Sequence, residues 1–436
     1  MLTEHELHSS LADPSLAVMS FLNEATLRFP DAISLAAGRP YEGFFALDRI
    51  NDYLSHYLEH AREQGRDEAA ITRELFQYGP TAGTIRELIA RMLLKDEGLV
   101  AAPQDVVVTA GCQEALLIVL RALFADAEDV LLVPSPSYTG VTGAALLLDV
   151  SVEPVPEGPA GLEPAQVRAT VERLRAAGRR PRALYLVPEA SNPTGSSLSL
   201  PARRELLAVA KEYDILLLED HAYAVFSPAG SPPALKALDT DRRVIHIGTF
   251  AKSGFPGLRI GYLVADQLIR RADGSTRPLS AALADVKSMV TVNTSPITQA
   301  VAGGMLLRHG LSLRAANTEA AAFYRANLRT AAAALAERFG SSGLPVSWNE
   351  PDRGFFMVVT VPFEVDDAAL EASARDYGVL WTPMRYFQAA GAERQLRLSV
   401  SYLTPEQVRQ GVHRLADFIE DRCAVPRYEE VDSLVA

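Results

Sequence analysis

The chain has two cysteines in 436 residues, Cys112 and Cys423. That excludes a disulfide scaffold, and no CxxC pair or Cys/His cluster offers a metal-ligand set. No apolar run approaches the ~20 residues that a membrane span needs. The first residues, M-L-T-E-H-E-L-H, lack a basic stretch followed by an apolar one, so no secretory signal is expected. Without that signal, Asn293-Thr294-Ser295 reads as a chance match to a glycosylation acceptor. Positive charge is scarce. Against 54 Asp and Glu stand 42 Lys and Arg, a net charge of −12, so no basic stripe is expected for nucleic acid. Repeats and low-complexity tracts are missing too. What is there is globular: 48% of residues are hydrophobic and 22% charged. That suits a cytoplasmic enzyme with a large core and two or three domains.

The organisation changes along the chain. An arm runs to about residue 35, with helical spacing over 20–29. Amphipathic helices are predicted over 46–63 and 84–94, on either side of the loop Tyr78-Gly79-Pro80-Thr81-Ala82-Gly83. From residue 105, short β-branched runs alternate with helical segments. Strands are predicted at 105–109, 130–133, 150–155, 183–187, 215–218, 244–248 and 260–264, with helices over 113–124, 164–177 and 200–213 between them. Near-continuous apolar strands are buried on both faces. The fold class is therefore α/β: about seven mainly parallel strands between helices, with a smaller α+β domain. Residues 277–340 read as a long, Ala-rich connecting helix. Strands at 346–348, 356–361 and 396–399 and helices at 368–377 and 405–422 build the smaller domain. The expected division is 1–45 for the arm and part of the small domain, 46–325 for the large domain and 326–436 for the small one.

Ligands on such sheets sit beyond the carboxyl ends of the strands, and five strand ends carry polar groups. After 105–109 come Gly111, Cys112 and Gln113 at a helix start, where backbone N–H groups suit an anion. Tyr138 follows the second strand and has a ring to stack on a planar ligand. Asn192, in S-N-P-T-G, has an amide to donate to a phenolate oxygen. Asp220 and Tyr223, in E-D-H-A-Y, end another strand. A carboxylate there is costly without a partner, and a protonated pyridine nitrogen is one. His221 lies between them as a weaker general-base candidate. The fifth end holds Lys252, with Thr249 three residues before it and Arg259 seven after it. An amine, a hydroxyl and a guanidinium are what a phosphorylated aldehyde needs.

Taken together, T-F-A-K-S-G-F-P-G-L-R-I-G, S-N-P-T-G, E-D-H-A-Y, G-C-Q-E-A-L and Y-G-P-T-A-G resemble the class I/II aminotransferases of the aspartate aminotransferase fold type. The resemblance runs from about residue 30 to 420. It implies pyridoxal 5′-phosphate, held in the large domain. Lys252 would bond the cofactor's aldehyde and shuttle the proton. Asp220 would pair with the pyridine nitrogen, Asn192 and Tyr223 with the O3′ oxygen, and Tyr138 would stack on the ring. Gly111, Cys112, Gln113, Thr249 and Arg259 would hold the phosphate. Tyr78 would reach the phosphate of a neighbouring subunit, making a homodimer with shared sites. Arg397 would clamp the substrate carboxylate, which Gly38 would also approach. Arg39 is a candidate for a second polar group on the substrate, and Arg353, Arg385 and Tyr386 are weaker ones. Many relatives have serine where this chain has Ala251, so one phosphate hydroxyl is missing.

The implied reaction is ping-pong transamination between an L-amino acid, aromatic, 2-aminoadipate-like or non-proteinogenic, and a 2-oxo acid. A lyase, cyclase or oxidase on the same fold is the alternative, because fold does not fix function. A regulator's effector domain is disfavoured: the ~30 residues before the matched region are too few for a DNA-binding domain. F-L-N-E, D-A-I-S-L-A-A-G-R-P and F-Q-Y-G-P-T-A-G are similar to actinobacterial enzymes that make non-proteinogenic amino acids for peptide antibiotics. Dihydroxyphenylglycine transaminase and an enduracididine-pathway aminotransferase are two of that group.

Overall fold

A sheet of eight strands carries the larger part of the molecule. The computed structural model describes residues 2, 3, 6–13, 16, 27–158, 161–387 and 391–424. Most of the helix predicted over 20–29 lies outside them. The main strands are Val106–Thr109, Asp129–Ser135, Ser151–Gly158, Arg180–Leu186, Leu216–Asp220, Val244–Thr249 and Gly261–Val264. Across the sheet they run in the order 106–109, 261–264, 244–249, 216–220, 180–186, 129–135, 151–158, and a two-residue strand, Gly161–Leu162, closes the far edge. The sequence pattern accounts for seven of the eight. It does not show the direction of 261–264, which is antiparallel to both its neighbours.

Alternation within these strands supplies two apolar faces. Val107, Ile245, Ile247 and Leu263 pack with the helices Cys112–Leu123 and Leu279–Val290. Val106, Val108 and Val264 face Arg86–Glu97 and Pro296–Arg308 on the other side. Further along that second face, Leu184 and Leu217 meet Pro164–Ala176 and Leu200–Glu212. Three helices were not anticipated: Glu68–Phe76, capped by Asp67, Thr139–Leu147 and the short Leu235–Leu238.

The long connecting helix over 277–340 is corrected to four helices, Leu279–Val290, Pro296–Arg308, Leu313–Ala316 and Thr318–Phe339. Ser295 and Ser312 cap two of them by accepting backbone N–H groups. The high alanine content hides these breaks from a periodicity reading. The last helix spans both cores. Tyr324 packs with Phe226 and Phe355, whereas Leu328, Ala331 and Leu335 join the small-domain core around Trp381.

That smaller core carries a sheet in the order Ser347–Trp348, Phe356–Thr360, Gln395–Ser399, Thr382–Pro383. The arm belongs to it: Ile33–Ser34 pairs in parallel with Val379–Leu380. Residues 36–41 then cross above the strand ends of the large sheet. No helix among the described residues is long and apolar enough to cross a membrane.

Candidate active site

A cavity of about 390 Å³ lies where the strand ends, the arm and the small sheet meet. Cys112, Gln113, Tyr138, Asn192, Asp220 and Tyr223 line it from the large sheet's loops. Thr249, Ala251, Lys252 and Arg259 come from the last loop, Gly38 and Arg39 from the arm, and Arg397 from the small sheet. Thus twelve of the eighteen candidate residues meet in one space, from segments far apart in sequence.

Lys252 sits in the turn after strand 244–249, and its Nζ donates to the Gly38 carbonyl at 2.7 Å. Burial, and then the Arg397 guanidinium, lower its pKa to about 8. A lysine so placed carries a minor neutral fraction near physiological pH, far larger than an ordinary lysine's, and that fraction can act as nucleophile and base.

Asp220 ends strand 216–220, with 4% of its surface exposed. Tyr185 donates to its Oδ2 at 2.9 Å, while Oδ1 is buried with no partner. Burial raises its pKa to about 6, against the Tyr185 bond. An unsatisfied buried carboxylate oxygen is expensive, and a cationic ring nitrogen would satisfy it. Tyr185 is a site residue that sequence reasoning missed. It lies inside an apolar strand, with no turn signal to mark it.

At one end of the cavity, the helix Cys112–Leu123 starts with no side-chain cap on its first turn. Gly111 precedes it at φ 88° and does not itself line the cavity. A Cβ there would stand 2.5 Å from Arg259 Nη2, so glycine is what lets the guanidinium lie against the helix start. Arg259 adopts a left-handed φ of 51°, a strained setting for this residue, and Nη2 donates to the Ala110 carbonyl at 3.3 Å. Thr249 Oγ1 accepts the Ala251 N–H at 3.0 Å. Uncapped amides, a guanidinium and a hydroxyl form an anion site suited to phosphate. Cys112 turns its Sγ toward the Gly248 carbonyl at 3.5 Å, and burial keeps its thiol protonated.

Arg397 projects from the small sheet. Its Nη1 donates to Asn192 Oδ1 at 2.7 Å and its Nη2 to the Ala36 carbonyl at 2.8 Å. Nε is buried without a partner. Phe356 and Phe387 flank the guanidinium, with ring centroids 4.4 and 4.7 Å away. Both rings line the cavity and neither was anticipated. Burial lowers the Arg397 pKa to about 10, and among the described residues no carboxylate pairs with it.

Several candidates fall elsewhere. Tyr78 is 84% exposed and stands apart from this cavity on the molecule's surface. Arg353 does not line the cavity; it is tied to Glu189, Asp352 and Ser231. Arg385 pairs with Asp367 and lies over the Tyr386 ring, and the Tyr386 hydroxyl donates to the same carboxylate. His221 is buried away from the cavity, its ring 5.1 Å from that of His246. Burial lowers its pKa to about 3, so it stays neutral. For the two arginines, Tyr386 and His221, a carboxylate or ring elsewhere in the chain claims the side chain. No group of His, Cys, Asp and Glu among the described residues is placed to hold a metal.

The lysine of lowered pKa, the carboxylate with one unpartnered oxygen and the anion site together fit pyridoxal 5′-phosphate. The chain belongs to the aminotransferase class I and II family, whose model matches residues 49–415, and it is a pyridoxal phosphate-dependent transaminase. It is 49% identical over 429 residues to the (S)-3,5-dihydroxyphenylglycine transaminase of Amycolatopsis orientalis, covering 98% of this chain and 96% of that one. It is 27% identical to aromatic-amino-acid aminotransferase 1 of Thermococcus litoralis, over 90% of this chain and 88% of that one. Among solved structures, it resembles the kynurenine aminotransferase of Pyrococcus horikoshii with a TM-score of 0.80 at 26% identity, covering 98% of each chain.

Proposed function

We propose that this transaminase moves an amino group between an L-amino acid with an aromatic side chain, above all a hydroxylated arylglycine, and a 2-oxo acid. The observation that carries the proposal is Arg397, a buried guanidinium without a carboxylate partner, held between Phe356 and Phe387 in the cavity of Lys252. The arginine suits the carboxylate common to all α-amino acids. The flanking rings favour an aromatic side chain. The names of the Amycolatopsis and Thermococcus relatives support the same substrate class.

When bound, the cofactor supplies an aldehyde for the donor's amino group and a ring that draws electrons from its α-carbon. Asp220 would hold the ring nitrogen protonated, and Asn192 and Tyr223 would donate to the ring oxygen. Tyr138 would cover the ring face. Thr249, Arg259 and the start of the 112–123 helix would grip the phosphate. Lys252 Nζ would remove the donor's α-proton and return it elsewhere on the bound pair, which its lowered pKa permits. Arg397 would orient the donor so that this proton faces the amine.

A homodimer with shared sites belongs to the proposal. Phe76 and Tyr78, 74% and 84% exposed, would then be covered by the partner, with Tyr78 reaching its phosphate. The enzyme is assigned to the cytoplasm and to the supply of non-proteinogenic amino acids for peptide antibiotics. A donor panel tests the substrate class. The expected order of kcat/KM places (S)-3,5-dihydroxyphenylglycine and other aromatic donors above L-alanine and L-aspartate. Equal or better use of L-alanine or L-aspartate refutes it.

A further inference from the structure

The arm crosses the cavity with four consecutive carbonyls, and a side chain takes each one. Arg397 Nη2 donates to Ala36 O at 2.8 Å, Ser399 Oγ to Ala37 O at 2.8 Å and Ser401 Oγ to Arg39 O at 2.6 Å. Gly38 O is left for Lys252, at 2.7 Å. Residues 397 and 399 share one side of the strand Gln395–Ser399 because strand side chains alternate, and Ser401, two residues past its end, turns its hydroxyl toward the same arm. Both serines are fully buried, and their hydroxyls lie 3.3 Å apart. A buried hydroxyl with an acceptor in line is a fixed donor. Backbone bonds anchor the same segment at its start: Leu35 N–H donates to Leu380 O, and Ser399 N–H to Leu35 O. At its far end, Tyr41 N–H donates to the Tyr324 hydroxyl.

We infer that Ser399 and Ser401 are positioning residues that set the register of the arm, and that through Gly38 and Arg39 they select the donor's side chain. This rests on the assignment of Lys252 as the reacting amine. A one-residue slip of the arm would present a different carbonyl to Lys252 and move Arg39 from the cavity wall. Gly38 leaves little room for such a slip: a Cβ there would stand 2.8 Å from the Phe356 ring. Arg39 lines the cavity from the arm. Its guanidinium carries several N–H donors and no acceptor. The class it selects is a donor whose side chain bears hydroxyl or carboxylate oxygens. Ser401 grips the Arg39 backbone, so it acts on that selection without touching substrate.

Two readouts test this in Ser399→Ala, Ser401→Ala and the double variant. The first is hydrogen exchange of the 33–41 backbone in the cofactor-free protein, which needs no substrate. Exchange should speed up about fivefold for each serine lost, as expected for one buried hydrogen bond. The second compares (S)-3,5-dihydroxyphenylglycine with L-phenylglycine as donors to the loaded enzyme. Ser401→Ala should raise KM about fivefold for the hydroxylated donor, with kcat and the KM for phenylglycine within about twofold. Unchanged exchange overturns the inference. So does an equal loss with both donors, which would mark the serines as merely structural. Failure of the parent enzyme on both donors would refute the substrate assignment, and the exchange result would still judge the ladder.

Discussion

Arg203 and Arg397 are buried alike, at 0% and 5% exposure, and their surroundings differ. Arg203 pairs with Glu189 and donates to the carbonyls of Leu198, Pro188 and Pro233. Glu189 in turn receives Arg353 and the Ser227 hydroxyl. Beside this network, Glu219 accepts His246 Nδ1 at 2.9 Å and two backbone N–H groups, and these contacts hold its pKa down to about 2 despite burial. In the cavity, Arg397 has no carboxylate, Asp220 has an unpartnered oxygen, and Lys252 has only a carbonyl. Their pKa values all move toward neutrality. Burial is common to both regions, and pairing separates them. Paired charges hold the fold; partnerless ones are held ready for ligand.

Substituting Lys252 should produce the largest effect. Lys252→Ala is expected to lower turnover at least about 1,000-fold, with an unchanged circular dichroism spectrum and melting temperature. Substantial turnover in this variant would break the division at its centre.

The arginines sharpen it directly. Arg203→Met leaves Glu189 with a lost partner and should cost about 3–5 kcal/mol of stability, read by urea unfolding, while folded molecules keep their activity. Arg397→Met should leave the urea midpoint unchanged or raised, and lower kcat/KM about 100-fold or more. If the two variants exchanged phenotypes, the comparison would fail.

Asp220 gives a pH test in cofactor-free protein. Its folded pKa of about 6 lies above its ordinary value of 3.8, so the folded state holds the proton longer than the unfolded state. The cost of ionising it in place is absent below about pH 4, builds up to about pH 6 and is complete above that. Asp220→Asn should therefore be more stable than the parent at pH 7, by about 3 kcal/mol for a shift of this size. The difference should vanish near pH 4. A constant difference at both pH values would contradict the account.

The smallest effect concerns the phosphate end. Ala251→Ser restores a hydroxyl beside Thr249, and cofactor affinity should tighten about threefold in an equilibrium titration. Weaker binding would show that the anion site is already complete.

Much of the site was legible because it sits where apolar strands end. Gly, Pro and Asn punctuate those ends, so Asn192, Asp220 and Lys252 stand out against runs such as 183–187 and 215–218. Tyr185 and Phe356 lie within strands, where the sequence does not show which face is the cavity. The arm's pairing with Val379–Leu380 joins segments more than 300 residues apart, and no local pattern carries such a register. Ser399 and Ser401 did leave a trace: R-L-S-V-S places polar residues at every second position of an apolar strand. Arg353 and Arg385 misled because an arginine in a loop looks the same whether a substrate or Glu189 awaits it.

The most direct measurement is a half-reaction. Enzyme loaded with pyridoxal phosphate is mixed with (S)-3,5-dihydroxyphenylglycine and no oxo acid. The account predicts that each site converts one cofactor to its pyridoxamine form, releases one 2-oxo acid and then stops. Repeated turnover with release of ammonia, or an unchanged cofactor spectrum across a full amino-acid panel, would contradict it.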